Sequence, residues 1–163
     1  MLATPSETEI FDLRTLVGDT LALVELDLQR ERAEVAVVVG DNIPPISGVR
    51  VELQQVLINL ISNAAQAMSA SGSSKRLVTI ALEAPADADH ILISVRDTGT
   101  GLAPEAKEKL FKPFFTTKEN GMGIGLSICR STIEARGGTL EGSNHPDGGA
   151  IFEIKLPKET ASA

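Results

Sequence analysis

A chain of 163 residues, 42% hydrophobic and 23% charged, has the profile of one soluble globular domain, because a single core serves roughly 100–200 residues. Collagen, coiled-coil and disordered compositions are all excluded. The chain has 22 acidic against 15 basic residues, a net charge of −7, no Trp, no Tyr and five Phe. It therefore lacks the Lys/Arg stripe of a duplex binder and the aromatic platforms of a single-strand binder, and nucleic acid is not expected as a partner.

In chain order, Thr4 to Asp12 reads as an extended lead-in with Ile10-Phe11 as a short strand. A helix is predicted from Asp12 to about Arg30, since Leu13, Leu16, Val17, Thr20, Leu21, Val24 and Leu28 recur at three- and four-residue steps. Glu34 to Val39 is a β-branched run that ends in Gly40-Asp41-Asn42 and Pro44-Pro45. Ile46 to Val49 reads as another short strand, and a second long helix runs from about Arg50 to Met68. Strands follow at Leu77–Glu83 and His90–Arg96, joined by a hairpin loop over Pro85–Asp89. Asp97 to Gly101 is a glycine-rich turn, Pro104 to Leu110 a short helix, and Lys112 to Asn120 irregular. Met122 to Arg136 is helical again, closed by Gly137-Gly138. Thr139–Ser143 and Ala150–Leu156 form the last hairpin. The expectation is a single α+β domain over 1–163, with its core at about 9–157.

Cys129 is the only cysteine, so no internal disulfide can form and a reducing compartment is favoured. It reads as a small buried hydrophobe in a helix. No signal peptide and no run of ~20 apolar residues is visible, so no direct membrane contact is expected.

Three segments carry candidate chemistry. On the second long helix, Glu52, Gln55, Asn59, Asn63 and Gln66 share one arc, while Leu53, Leu57, Leu60, Ala64 and Met68 face another. The stripe is either a solvated face or a ligand site. Two Asn one turn apart are poor helix formers for a purely solvated face. A carboxamide oxygen at Asn63 suits Mg²⁺, which takes one or two protein oxygens and fills its octahedron with water and phosphate.

The second segment is Asp97-Thr98-Gly99-Thr100-Gly101. Its glycines permit positive φ or a close approach to a flat ligand, and Asp97 could accept from an exocyclic amine. The third is Gly121-Met122-Gly123-Ile124-Gly125-Leu126, leading into a helix. Amides and the helix dipole there make a phosphate site, which is how an acidic protein can hold a polyphosphate. A dinucleotide fingerprint needs Gly-x-Gly-x-x-Gly after a strand, and neither condition is met. Between the two turns, Phe111-Lys112-Pro113-Phe114-Phe115-Thr116-Thr117-Lys118 reads as an aromatic-anchored loop or as a lid whose Lys118 and hydroxyls reach phosphate.

Asn59-x-x-x-Asn63-Ala64, Asp97-x-Gly99-x-Gly101, Phe111-x-Pro113-Phe114 and Gly121-x-Gly123-x-Gly125-Leu126, in that order, resemble the N, G1, F and G2 boxes of the ATP-binding catalytic domain of sensor histidine kinases. The Thr116-Thr117-Lys118 segment resembles the oxygen- and nitrogen-regulation branch. The resemblance implies the Bergerat two-layer α/β sandwich, a mixed sheet with helices on one face and a short ATP lid. It further implies ATP and Mg²⁺, with Asp97 on the adenine amine, Asn63 on Mg²⁺, and Asn59 on phosphate or metal-bound water. Gly99, Gly101, Phe114, Thr116, Thr117 and Leu126 would line the nucleotide. Gly121, Gly123 and Gly125 would wrap the triphosphate with Lys118 assisting, and Glu52 is a candidate base toward the acceptor imidazole.

ATPases of this fold carry Glu one turn before the metal Asn, where this chain has Asn59. An amide cannot take a proton, so slow hydrolysis is expected. His90 and His145 lack the family's acceptor context, which implies a catalytic half whose histidine-bearing dimerisation domain lies outside it. A response regulator would be an indirect partner, the isolated domain a monomer, and the location the cytoplasm. The competing functions are an anti-sigma-factor-type protein-serine kinase of the same fold and a nucleotide-binding interaction domain without transfer.

Overall fold

The computed structural model of the protein describes residues 8–70, 72, 74–104, 111 and 125–158. The elements run β1 (Glu9–Phe11), α1 (Leu13–Leu23), α2 (Glu25–Arg30), β2 (Glu34–Val39), β3 (Ile46–Gly48), α3 (Arg50–Ala70), β4 (Leu77–Glu83), β5 (His90–Arg96), α4 (Gly125–Ala135), β6 (Thr139–Asn144) and β7 (Ala150–Pro157). Of the short helix expected at Pro104–Leu110 only Pro104 is among the described residues, and the irregular stretch at Lys112–Asn120 lies outside them.

β2, β4, β5, β7 and β6 form one sheet in that order, and β1 pairs with β3 in a separate two-stranded sheet. β2–β4 is parallel and every other pair antiparallel. A parallel pair cannot close through a tight hairpin, so the chain crosses over between β2 and β4. α3 belongs to that crossover, which carries it across the sheet, where it packs on β4 and β5.

Strand alternation decides which face it meets. Val78, Ile80 and Leu82 of β4, Ile91, Ile93 and Val95 of β5, and Phe152, Ile154 and Leu156 of β7 are buried in one core. Thr79, Ala81, Leu92, Ile151 and Glu153 between them stay half-exposed, so the helices cover one face, as the sandwich requires. Each fully buried Leu or Ile contributes about 1.5–3 kcal/mol.

Three expectations shift. The helix predicted from Asp12 to Arg30 is two helices, broken at Val24 (φ −101°, ψ 9°). The bend keeps both Val24 and Leu28 in the core while Leu23 and Leu26 face solvent. Asp12 starts α1 by accepting from the Arg14 amide at 2.7 Å, which satisfies one orphan donor of the first turn. α3 outlasts its predicted end by two residues, and α4 stops at Ala135, where Gly138 N bonds back to Ile133 O at 3.1 Å. No helix among the described residues is long and apolar enough to cross a membrane.

Candidate functional site

α3 carries the first half of the site. Leu53, Leu57, Leu60, Ala64 and Met68 are all buried, as the periodicity predicts, and Val56, Ile61 and Ala65 are buried with them. The core sector is wide because α3 meets the sheet, α1 and α4 at once. That squeezes the polar stripe: Asn59 and Asn63 are half-buried, while Gln55 and Gln66 stay exposed.

The Asn59 carboxamide is held on both sides. Its Nδ2 donates to Cys129 Sγ at 3.3 Å, and its Oδ1 accepts from Gln55 Nε2 at 3.5 Å. Cys129 lies on α4 four residues after Gly125, so this contact ties the Asn helix to the helix that follows the glycines. Burial pushes the Cys129 thiol up from its ordinary value, against the smaller opposing effect of the Asn59 hydrogen bond.

The second half is the turn after β5. Asp97 is 3% exposed, and its Oδ1 accepts from Gly99 N at 2.9 Å and Ala150 N at 3.1 Å. Both bonds end on one oxygen, which leaves Oδ2 with no hydrogen bond among the described residues. Thr98 pins the turn from below: its Oγ1 donates to Lys75 O at 2.7 Å and accepts from Leu77 N at 3.2 Å. Thr98 N and Oγ1 also lie 3.3 and 3.2 Å from Met68 Sδ, at the end of α3. A Cβ on Gly99 would sit 3.6 Å from Ala67 O, so the turn runs against the last turns of α3, one turn beyond Asn63.

Asp97 and the end of α3 are thus brought together, with Gly125 and Leu126 reached through the Asn59–Cys129 contact. Phe111 stands edge-on to Phe152, centroids 6.4 Å apart, with the Arg130 guanidinium 4.8 Å above its ring. Phe114, Thr116, Thr117, Lys118, Gly121 and Gly123 lie outside the described residues.

Glu52 stands apart. Its Oε1 pairs with Arg136 Nη2 at 2.9 Å, and it lines a cavity of about 290 Å³ with Phe11, Ile46, Leu53, Ile133 and Arg136. Neither Asn nor Asp97 borders that cavity. Glu52 and Asn63 are eleven steps apart along the helix, a rise of about 16 Å.

Asn144, Gly149 and Ala150 complete the turn, and no motif in the sequence marks them. Asn144 Oδ1 accepts from Leu102 N at 2.6 Å and its Nδ2 donates to Leu102 O at 3.0 Å. Gly149 has φ +82°, and a Cβ there would overlap the Asp97 carbonyl oxygen. No local pattern marks these contacts, because the partners are 42 and 53 residues apart in sequence.

Residues 48–160 match the family described as histidine kinase-, DNA gyrase B-, and HSP90-like ATPase. The chain is 36% identical over 146 residues to the sensor histidine kinase TmoS of Ectopseudomonas mendocina, covering 90% of this chain and 15% of that protein. It is 38% identical over 152 residues to the sensor protein FixL of Bradyrhizobium diazoefficiens, covering 93% and 30%. The chain therefore spans less than a third of the length of these curated relatives. Among solved structures, the catalytic domain of histidine kinase ThkA superposes with a TM-score of 0.80 at 33% identity, over 93% of this chain and 96% of that one. Full-length ShkA in complex with AMPPNP gives 0.82 at 28% identity, over 99% and 33%. ThkA in complex with the response regulator protein TrrA gives 0.76 at 30%, over 93% and 42%.

Proposed function

The chain belongs to the histidine kinase-, DNA gyrase B- and HSP90-like ATPase family, and from that membership we propose that it binds Mg²⁺-ATP and donates the γ-phosphoryl group to a histidine on a separate dimerisation domain. The observation that carries the reading is the Asp97 carboxylate, buried with Oδ1 doubly bonded and Oδ2 unpaired among the described residues. Oδ2 is reachable from solvent, an open acceptor for which the exocyclic amine of adenine is a fitting donor.

In this proposal Asp97 selects the base, while Gly99 and Gly101 let backbone lie against it. Asn63 supplies the single protein oxygen that a phosphate-borne Mg²⁺ needs. Asn59 and Asn63 are half-buried one turn apart, and a carboxamide oxygen there suits an ion that brings phosphate and water as its other ligands. Mg²⁺, when bound, would neutralise charge on the phosphate oxygens. Asn59 would hold a phosphate oxygen or metal-bound water. Thr116, Thr117, Lys118, Gly121, Gly123 and Gly125 would receive the triphosphate, with Phe114 and Leu126 beside it.

With an amide at Asn59 no side chain there can deprotonate water, which spares the phosphoryl group for a protein acceptor. Glu52 would take the imidazole proton, its direction set by Arg136. The phosphoryl group would pass on to a response regulator, in the cytoplasm where ATP is supplied.

The test mixes this chain with a helical-hairpin domain presenting an acceptor His, with γ-labelled ATP and Mg²⁺. Acid-labile, alkali-stable label on the hairpin is expected, reduced about a hundredfold or more in Asp97→Asn. Acid-stable label on a serine would instead favour the serine-kinase alternative. Nucleotide binding with no transfer would leave a binding domain.

A further inference from the structure

Asn144 and Ala150 face each other on the last rung of the β6–β7 hairpin, and both reach the turn that carries Asp97. Ala150 grips its start: Ala150 O accepts from Asp97 N at 2.9 Å and Ala150 N donates to Asp97 Oδ1 at 3.1 Å. Asn144 grips its end, through the two bonds to Leu102 N and O. One rung therefore clamps the Asp97–Leu102 turn at both ends.

The clamp depends on a carboxamide. Only a side chain with an acceptor and a donor in one plane can satisfy both backbone groups of Leu102, as a neighbouring strand would. The fit is close, for a Cβ on Gly101 (φ +86°) would lie 2.6 Å from Asn144 Oδ1. The hairpin loop is braced independently, by His145 N to Gly149 O at 2.9 Å and Gly148 N to His145 O at 3.0 Å. Asn144 itself is exposed, so its carboxamide is not there to fill the core.

We propose that Asn144 is a positioning residue for base recognition: it fixes the turn so that Asp97 Oδ2 meets the exocyclic amine of the nucleotide. This rests on the nucleotide reading above. Without Asn144 the turn stays attached at Ala150 but swings at Leu102, and the cost falls on the amine contact rather than on the phosphates.

The readout is base selectivity, measured by calorimetric titration of the full chain with Mg²⁺ and either ADP or inosine diphosphate. Inosine presents a carbonyl oxygen where adenine presents the amine. The unaltered chain should prefer ADP by about a hundredfold. Asn144→Ala should weaken ADP about tenfold while leaving inosine diphosphate within about twofold, so that the preference collapses. Asn144→Asp keeps the acceptor for Leu102 N but sets a carboxylate oxygen against Leu102 O. It should collapse the preference too, and being nearly isosteric it decides the matter if the alanine variant fails to fold. Ser143→Ala, on the same strand, should leave the ratio alone. Parallel losses for both nucleotides, or no loss, would overturn the assignment. An unaltered chain that binds neither nucleotide would remove the nucleotide reading, and this assignment with it.

Discussion

Cys129 is 1% exposed, and among the described residues it is the one whose surroundings move its protonation away from the ordinary value. Burial raises its thiol from the ordinary value of 9.0, because a thiolate in that site loses its hydration. The folded state therefore holds the proton after the unfolded chain has lost it. This contribution to stability is complete below the ordinary thiol value and is lost as pH rises past it and through the folded value. Melts followed by circular dichroism from pH 8 to 10 should fall more steeply for the unaltered chain than for Cys129→Ala, by up to about 1.4 kcal/mol per pH unit. Equal slopes would mean that the thiol is not desolvated in solution. The burial of Cys129 was legible from its place in an apolar helical pattern. Its hydrogen bond with Asn59 was not, since the two are 70 residues apart and only the packing of α3 on α4 makes them neighbours.

At the scale of elements, α3 explains both the strength and the blind spot of periodicity. Leu57 and Leu60 are fully buried, on the face that the three- and four-residue steps single out. Leu57→Ala should cost about 2–5 kcal/mol, read as a lower denaturant midpoint. A smaller loss would show that the site collapses around the cavity. Periodicity does not say how many neighbours a helix has, so Val56, Ile61 and Ala65 were not placed in the core in advance. The split between α1 and α2 was hidden for the same reason. The apolar spacing continues through Val24 without a Gly or Pro to mark the break, and the bend answers to the surface underneath.

At the scale of the whole molecule, the candidate site is assembled from α3, the turn after β5, the start of α4 and the β6–β7 hairpin. A ligand bound across them must stabilise the fold by mass action. Mg²⁺-ADP at about 100 times its Kd should add about 2.7 kcal/mol, which for a chain of this size raises Tm by roughly 5–10 °C. A chelator should remove most of that rise, and a Tm indifferent to nucleotide would count against the site. Among the described residues, and apart from the break at Val24, the sequence by itself determined the strands and helices, whose signals are local alternation and spacing, and the Asn and Asp-Gly motifs, whose chemistry is carried by residue type. It also held the family resemblance, since the order of the boxes survives in one dimension. Only the tertiary structure decided that Asp97 Oδ1 is already taken, that Asn59 leans on Cys129, that Glu52 belongs to Arg136 and that Asn144 closes the turn. Apart from the local bond from Gly99 N to Asp97 Oδ1, each of these is a contact between distant segments, and such a hydrogen bond depends on where two atoms lie, which no local spacing records.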